Sequence, residues 1–439
     1  MRSIKLLPLI IAIIYLGSCR PASQNNEEEK LNALAESYVR LGLSIGKYDS
    51  DFVDAYYGPD SLKPDTTKSA SFPKDSLLKS AADLKSKLHE ILLIEGLSDT
   101  AKLRTKWMSS QLTAFERRIR IFSGEYQSFD EESKELFGLA APSYPEEHYQ
   151  LLLTRLDQLL PGTGTVQDRF QTLANRFIIP KDKLDTVFRI TISEARKNTI
   201  AHYTLPESEN FSIEYVKDKP WSGYNWYKGN YTSLIQINTD TQIFIERAID
   251  VGSHESYPGH HVYNMLLEKN LYRDKGWVEI SLYPLFSPQS FIAEGSANYG
   301  IEMAFPGESK ISFAKEKLLP AAGLDTANIG IYFRALSLKG QLNYARNEAA
   351  RGLIDGKINE EQAVEWLIKY CLYNKETALK SISFIKKYRS YVINYNYGMD
   401  LVKQYVEEKS GKGADIKKRW EVFGHLLSNP VMPANLVVK

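Results

Sequence analysis

Ser253-His254-Glu255-Ser256-Tyr257-Pro258-Gly259-His260-His261 gathers three of the chain's seven histidines into one short run. The neutral imidazole is the commonest protein metal ligand, and a metal site needs several such donors to converge. A His-Glu pair followed within two helical turns by another His is how zinc hydrolases hold their ion on a helix. Two His bind the metal, and the Glu, about 100° round the helix, reaches a water as general base. The run therefore predicts a helix carrying His254, Glu255 as base, and a second ligand downstream.

The second His ordinarily stands four residues after the first, where this chain has Pro258. Proline has no N–H and clashes with the carbonyl four residues back, while Gly259 tolerates unusual dihedrals. Two arrangements follow. In an unbroken helix His261 would lie over His254; if Pro-Gly is inserted into the turn, His260 takes the position instead. A helix broken at Pro-Gly favours His260, with His261 left open as the alternative.

A catalytic zinc takes three protein ligands and keeps an open position. The third candidate is Glu294, within Phe291-Ile-Ala-Glu-Gly-Ser-Ala-Asn-Tyr-Gly-Ile-Glu302. Apolar residues surround it, and a carboxylate buried there without a partner would be costly. Gly295, Ser296 and Ala297 after it are small enough to let this helix approach the metal helix. Glu302, two turns on, is a candidate for the surroundings of the site.

Outward from these motifs the pattern is mostly helical. Leu78, Ala81, Leu84, Leu88 and Ile91 recur at three and four, as do Leu103, Trp107, Leu112, Phe115, Ile119 and Phe122. Ser98 or Asp99 would cap the second helix. Breaks fall at Gly58-Pro59 through Pro73, at Pro142 to Pro145 and at Pro161 to Gly164. Phe211–Val216 and Ser233–Thr239 read as strands, separated by the aromatic-rich Trp221-Ser-Gly-Tyr-Asn-Trp-Tyr227. The fold expected is mainly α with a small β-sheet (α+β).

The first residues, Met-Arg-Ser-Ile-Lys and the apolar run Leu6 to Leu16, lead into Leu16-Gly17-Ser18-Cys19. A basic start, a short hydrophobic stretch and small residues before a Cys form a secretory signal ending in a bacterial lipobox, so Cys19 would be the lipidated first residue of the mature chain. That implies a location in the cell envelope, anchored to a membrane, the outer membrane or the cell surface. The organisation expected is a signal at 1–18, a flexible tether at 19–30, a helical region at 31–202 and a metal-binding catalytic region at 203–439.

The chain has 439 residues, 55 Lys and Arg against 54 Asp and Glu, and two Cys. A net charge of +1 without a basic run argues against a nucleic-acid partner. With Cys19 lipidated, Cys371 is the only thiol left and no intrachain disulfide can form. Two further polar residues are candidates for substrate binding. Asn238, at the end of the strand before the metal helix, could help bind an extended peptide by edge addition. Arg389 could pair with a substrate carboxylate.

With these motifs in place, His-Glu-Ser-Tyr-Pro-Gly-His-His followed by Ala-Glu-Gly-Ser-Ala-Asn-Tyr resembles the DUF885 family of bacterial proteins, grouped with the gluzincin-type metallopeptidases. Tyr48-Asp-Ser-Asp-Phe-Val-Asp-Ala-Tyr-Tyr-Gly-Pro59 and Arg351-Gly-Leu-Ile-Asp-Gly-Lys-Ile-Asn-Glu-Glu-Gln-Ala-Val364 resemble other segments of that family. The resemblance implies a gluzincin-like helical metallopeptidase architecture with one Zn2+, held by His254, His260 and Glu294, and Glu255 as base. The family's Tyr-x-x-Gly stands here as Tyr395-Asn-Tyr-Gly398, which makes Tyr395 the candidate oxyanion donor. The chain departs from many relatives at Ser296, where they carry Trp, and at Lys357-Ile358, where they carry a His. The substrate implied is a peptide or small amide. A structural metal in a non-catalytic envelope protein, with His261 as fourth ligand, and hydrolysis of non-peptide amides or esters are the competing readings.

Overall fold

Apolar residues spaced three and four apart become buried helix faces in the computed structural model, which describes residues 22–65, 71–219, 221–411 and 413–437. Side chains of the first helix are described from residue 27. The signal segment and Cys19 lie outside the described residues. The helix Lys74–Leu92 buries Leu77, Ala81, Leu84, Leu88 and Ile91. The helix Asp99–Phe122 starts at Ser98, whose hydroxyl accepts from the Ala101 N–H. The first helix, Ala22–Gly46, begins inside the segment expected to be an irregular tether, but its first buried side chain is Leu31. Its polar first turns continue the helix beyond the core.

The protein is mainly helical, with two small sheets. The three-stranded sheet contains β2 (Asn210–Val216), β3 (Gly223–Gly229) and β4 (Thr232–Asn238), in the order β2-β4-β3. β4 pairs in parallel with β2 and antiparallel with β3. The aromatic-rich segment that the sequence left unassigned is thus largely strand β3. Asn230 and Tyr231 join β3 to β4, both with positive φ (52° and 58°), the backbone that a tight two-residue hairpin matching strand twist requires. A second, two-stranded sheet pairs β1 (Val53–Tyr56) with β5 (Leu282–Pro284). It carries the N-terminal Asp54 toward the middle of the chain.

One apolar core runs from Leu31 to Leu436. It is crossed by a buried bidentate ion pair in which Arg104 donates to both Glu279 oxygens at 2.5 and 2.8 Å. The helix Pro288–Ala304 is buried along nearly its whole length. Pro288 occupies its first turn, where the missing N–H costs nothing, and Ser287 caps it by accepting from the Ser290 N–H. Gly295 allows close helix packing, but its partner is not the metal helix. A Cβ there would lie 2.5 Å from the Gly398 carbonyl, so the small residue admits the helix Ile393–Ser410. Gly300 faces the Pro258 turn instead, at 3.0 Å for the same added atom.

Candidate metal centre

The helix Ile245–Glu255 stops one residue after His254, and a new helix starts at His260 and ends at Leu267. Between them Ser256 to Gly259 fold back on the end of the first helix. The Gly259 N–H donates to the Ser253 carbonyl at 3.2 Å, and a Cβ at Gly259 would stand 1.9 Å from the His254 oxygen. Only glycine fits so close a backbone approach. The break brings His260 round to His254, with Nε2 to Nε2 at 3.1 Å.

His261 points elsewhere. Its ring lies against Ser233 Oγ at 2.8 Å and Glu209 Oε1 at 3.1 Å, fully buried. Glu209 also accepts from Arg196 at 2.8 Å. Both ring nitrogens of His261 are thereby engaged away from His254.

Glu294 reaches the pair from the helix Pro288–Ala304. Its Oε2 lies 3.3 Å from His254 Nε2 and 3.8 Å from His260 Nε2. Tyr391 donates its hydroxyl to the other oxygen, Oε1, at 2.9 Å, and itself accepts from Ser290 Oγ at 3.0 Å. Burial opposes ionisation of Glu294, but the neighbouring imidazoles hold its carboxyl well below the usual range. Asn298, one turn along the same helix, sets the tautomer of His254. Its Nδ2 donates to the Tyr395 carbonyl at 2.8 Å, which turns Oδ1 toward His254 Nδ1 at 2.9 Å. His254 Nδ1 is then the protonated nitrogen, and the lone pair is on Nε2.

The donors fit a metal ion. Glu294 Oε2, the oxygen that faces both imidazoles, is buried without a hydrogen-bond partner, which a protein rarely leaves uncompensated. Three donors each about 2.1 Å from one tetrahedral ion stand about 3.4 Å apart. The separations of 3.1, 3.3 and 3.8 Å bracket that spacing. His254, Glu255 and His260 also present donor atoms within 4.8 Å of one another. Glu294 comes closer to both imidazoles and is the ionised carboxylate, so it suits ligation better, leaving Glu255 beside the cluster.

Glu255 is buried, and burial pushes its carboxyl up to about 7; His254 and Arg247 oppose the rise while Glu294 and Asp54 add to it. Gly223 of β3 makes room for it, since a Cβ there would sit 3.1 Å from Glu255 Oε1. Asp54 lines the same cavity and accepts from the Tyr224 hydroxyl. Burial brings its carboxyl up to about 6, against the Tyr224 hydrogen bond and the His260 ring.

All four groups open onto a cavity of about 1700 Å³, which Tyr395 also lines. Burial raises the Tyr395 hydroxyl well above its ordinary value; Glu294 and Glu255 add to this and Arg346 opposes it. Tyr395 therefore keeps its proton at neutral pH. Glu302 lines the cavity too, as the acceptor of Lys403 Nζ at 2.8 Å.

Two expected substrate contacts take other places. Asn238 ends β4, the central strand, which has no free edge for a peptide. Its Nδ2 donates to the Lys219 and Trp221 carbonyls at 2.9 and 3.0 Å, and its Oδ1 accepts from the Asp240 N–H at 3.0 Å. It closes a turn. The edge strand that lines the cavity is β3. Arg389 donates from Nε and Nη2 to both oxygens of buried Glu132 at 2.6 and 2.9 Å, so its fork is filled from within the protein.

Asn298, Tyr391, Asp54 and Tyr224 escaped the sequence reading. Asn298 alone carried a signal, since it lies four residues after Glu294 and so on the same helix face. Nothing local in the sequence brings the other three to the histidines.

Fold and site together define a mainly helical chain with a His/Glu/His cluster able to hold a metal at the wall of a large cavity. Neither a protein-family model nor a curated protein matches the sequence. Among solved structures, a candidate lipoprotein from Colwellia psychrerythraea shares the fold. It is 16% identical, with a TM-score of 0.50 over 83% of this chain and 68% of that one. A candidate lipoprotein of unknown function from Shewanella oneidensis gives 14% identity and a TM-score of 0.44 over 81% and 73% of the two chains. A carboxypeptidase from Pyrococcus furiosus gives 11% identity and 0.41 over 94% and 90%. No helix of the described residues is long and apolar enough to cross a membrane.

Proposed function

We propose that this chain is a zinc-dependent metallopeptidase of the DUF885 type, anchored in the cell envelope through lipidated Cys19. The observation that carries the reading is the convergence of His254, His260 and Glu294 beside Glu255 at the cavity wall. Bound zinc would supply Lewis acidity toward a scissile carbonyl and lower the pKa of a water.

The chain's own residues do the rest. Asn298 holds His254 with its lone pair on Nε2, and Tyr391 holds Glu294 by Oε1 so that Oε2 faces the imidazoles. Glu255 takes a proton from the attacking water and passes it to the leaving amine. Its carboxyl, raised to about 7 by burial, suits both directions of transfer near neutral pH. Tyr395 keeps its proton and donates it as a hydrogen bond to the oxygen on which negative charge develops. The edge strand β3 offers main-chain groups to an extended peptide.

A purely structural metal would need a fourth protein ligand, and His261, the nearest candidate in sequence, is engaged by Ser233 and Glu209. The test is Glu255→Gln. It should keep its zinc and lose about 100-fold or more in peptide hydrolysis; undiminished turnover would remove Glu255 from the role of base. For the anchor, labelled palmitate should be incorporated by the wild type and not by Cys19→Ser; equal labelling would rule out Cys19 as the attachment site.

A further inference from the structure

The cations around the cavity are mostly neutralised from within the protein. Lys387 pairs with Asp51 at 3.0 Å, Lys403 with Glu302 at 2.8 Å and Lys380 with Glu376 at 2.8 Å. Arg346 is different. No carboxylate of the described residues lies within ion-pair distance of it, and it is half-buried at the cavity wall. Its Nε donates to Ser381 Oγ at 3.1 Å, and its guanidinium carbon lies 4.6 Å from the centre of the Phe384 ring.

These two contacts fix the guanidinium plane and leave both terminal NH2 groups without an acceptor among the described residues. A planar fork held in this way matches the two oxygens of a carboxylate. Lys310 and Arg334 also lack a carboxylate partner among the described residues, but no hydrogen bond fixes either head group, and Arg334 is exposed. Arg346 also lies near Tyr395, since the Phe384 ring beneath its guanidinium packs against the Tyr395 ring with centres 6.3 Å apart.

We propose that Arg346 receives the terminal carboxylate of a peptide, so that the site acts at free carboxyl ends. It would take the role that the sequence suggested for Arg389. The proposal rests on the metallopeptidase reading for the bond that is broken, but not for the binding of the carboxylate.

The experiment uses a mixed-sequence pentapeptide pool made twice, as free acids and as carboxamides. Zinc-loaded wild type should cleave the acids at least about 30-fold faster than the carboxamides, the worth of a hydrogen-bonded charge, and Arg346→Met should lose that preference. In parallel, zinc-loaded Glu255→Gln should retain the acids over the carboxamides on ultrafiltration, and adding Arg346→Met should abolish the retention. Cleavage of acids and carboxamides at equal rates, or equal retention of the two, would overturn the proposal. Acids retained selectively but never cleaved would uphold Arg346 and defeat the peptidase reading. Both pools cleaved alike would do the reverse, and pools neither cleaved nor retained would count against both.

Discussion

Asn298 Oδ1 lies 2.9 Å from His254 Nδ1, while the same amide donates from Nδ2 to the Tyr395 carbonyl. The amide is thus oriented by the backbone of one helix and in turn orients an imidazole on another. Partners of this kind typically contribute 10- to 100-fold in metal affinity. Asn298→Ala should therefore weaken zinc binding by about that factor in chelator competition while leaving the circular dichroism spectrum unchanged. Unaltered affinity would mean that His254 keeps its tautomer without Asn298.

Gly259 is the point at which the interrupted helix becomes a site. An added methyl would meet the His254 and Ser253 carbonyl oxygens at 1.9 and 2.5 Å, and backbone on that side cannot simply rotate away. Gly259→Ala should cost about 2 to 4 kcal/mol in denaturant unfolding, and it should weaken zinc binding by moving His260 from His254. A variant with wild-type stability and affinity would show that the turn has room which the geometry denies it.

Glu246 gives a pH signature away from the metal ligands. It is buried in the helix Ile245–Glu255, and the Tyr332 hydroxyl donates to it at 2.9 Å. Burial raises its carboxyl from 4.5 to about 7, Asp250 adds to the rise, and the Tyr332 hydrogen bond and Arg247 oppose it. Between those two values the unfolded chain has released the proton and the folded chain has not, so wild-type stability falls as pH rises. Glu246→Gln keeps an acceptor for Tyr332 and removes the titration. Its advantage over wild type should be absent below about pH 4.5, grow through neutrality and level off above about pH 7, at on the order of 3 kcal/mol. Urea unfolding at pH 5 and pH 8.5 reads the difference; an advantage independent of pH would contradict the assignment.

The site's framework was legible because its chemistry is local. His254, Glu255 and His260 fall in one run, and Pro258 with Gly259 announced a break that favours His260 over His261. Glu294 was legible for a similar reason, as a carboxylate among apolar residues. Tertiary partners decided the rest. Arg389 and Asn238 carry the right functional groups for a substrate, but Glu132, more than two hundred residues away in the chain, and the carbonyls of Lys219 and Trp221 claim them first. Arg346 shows the converse, since its importance lies in lacking a carboxylate, and sequence cannot display a missing partner. β3 went unread because its aromatic residues show little alternation. Asn225 and Tyr227 are buried, Tyr224 and Trp226 are on the more exposed face, and Asn225 lines the cavity together with Tyr224 and Trp226, so both faces carry bulky or polar groups.

The proposed chemistry requires His254, His260 and Glu294 to form one metal site. Elemental analysis of protein reconstituted with zinc and dialysed tests this directly. The wild type and Glu255→Gln should each retain one zinc per chain, and His260→Ala and Glu294→Ala should retain little or none. Wild-type protein without zinc, or undiminished zinc in the His260 and Glu294 variants, would contradict it.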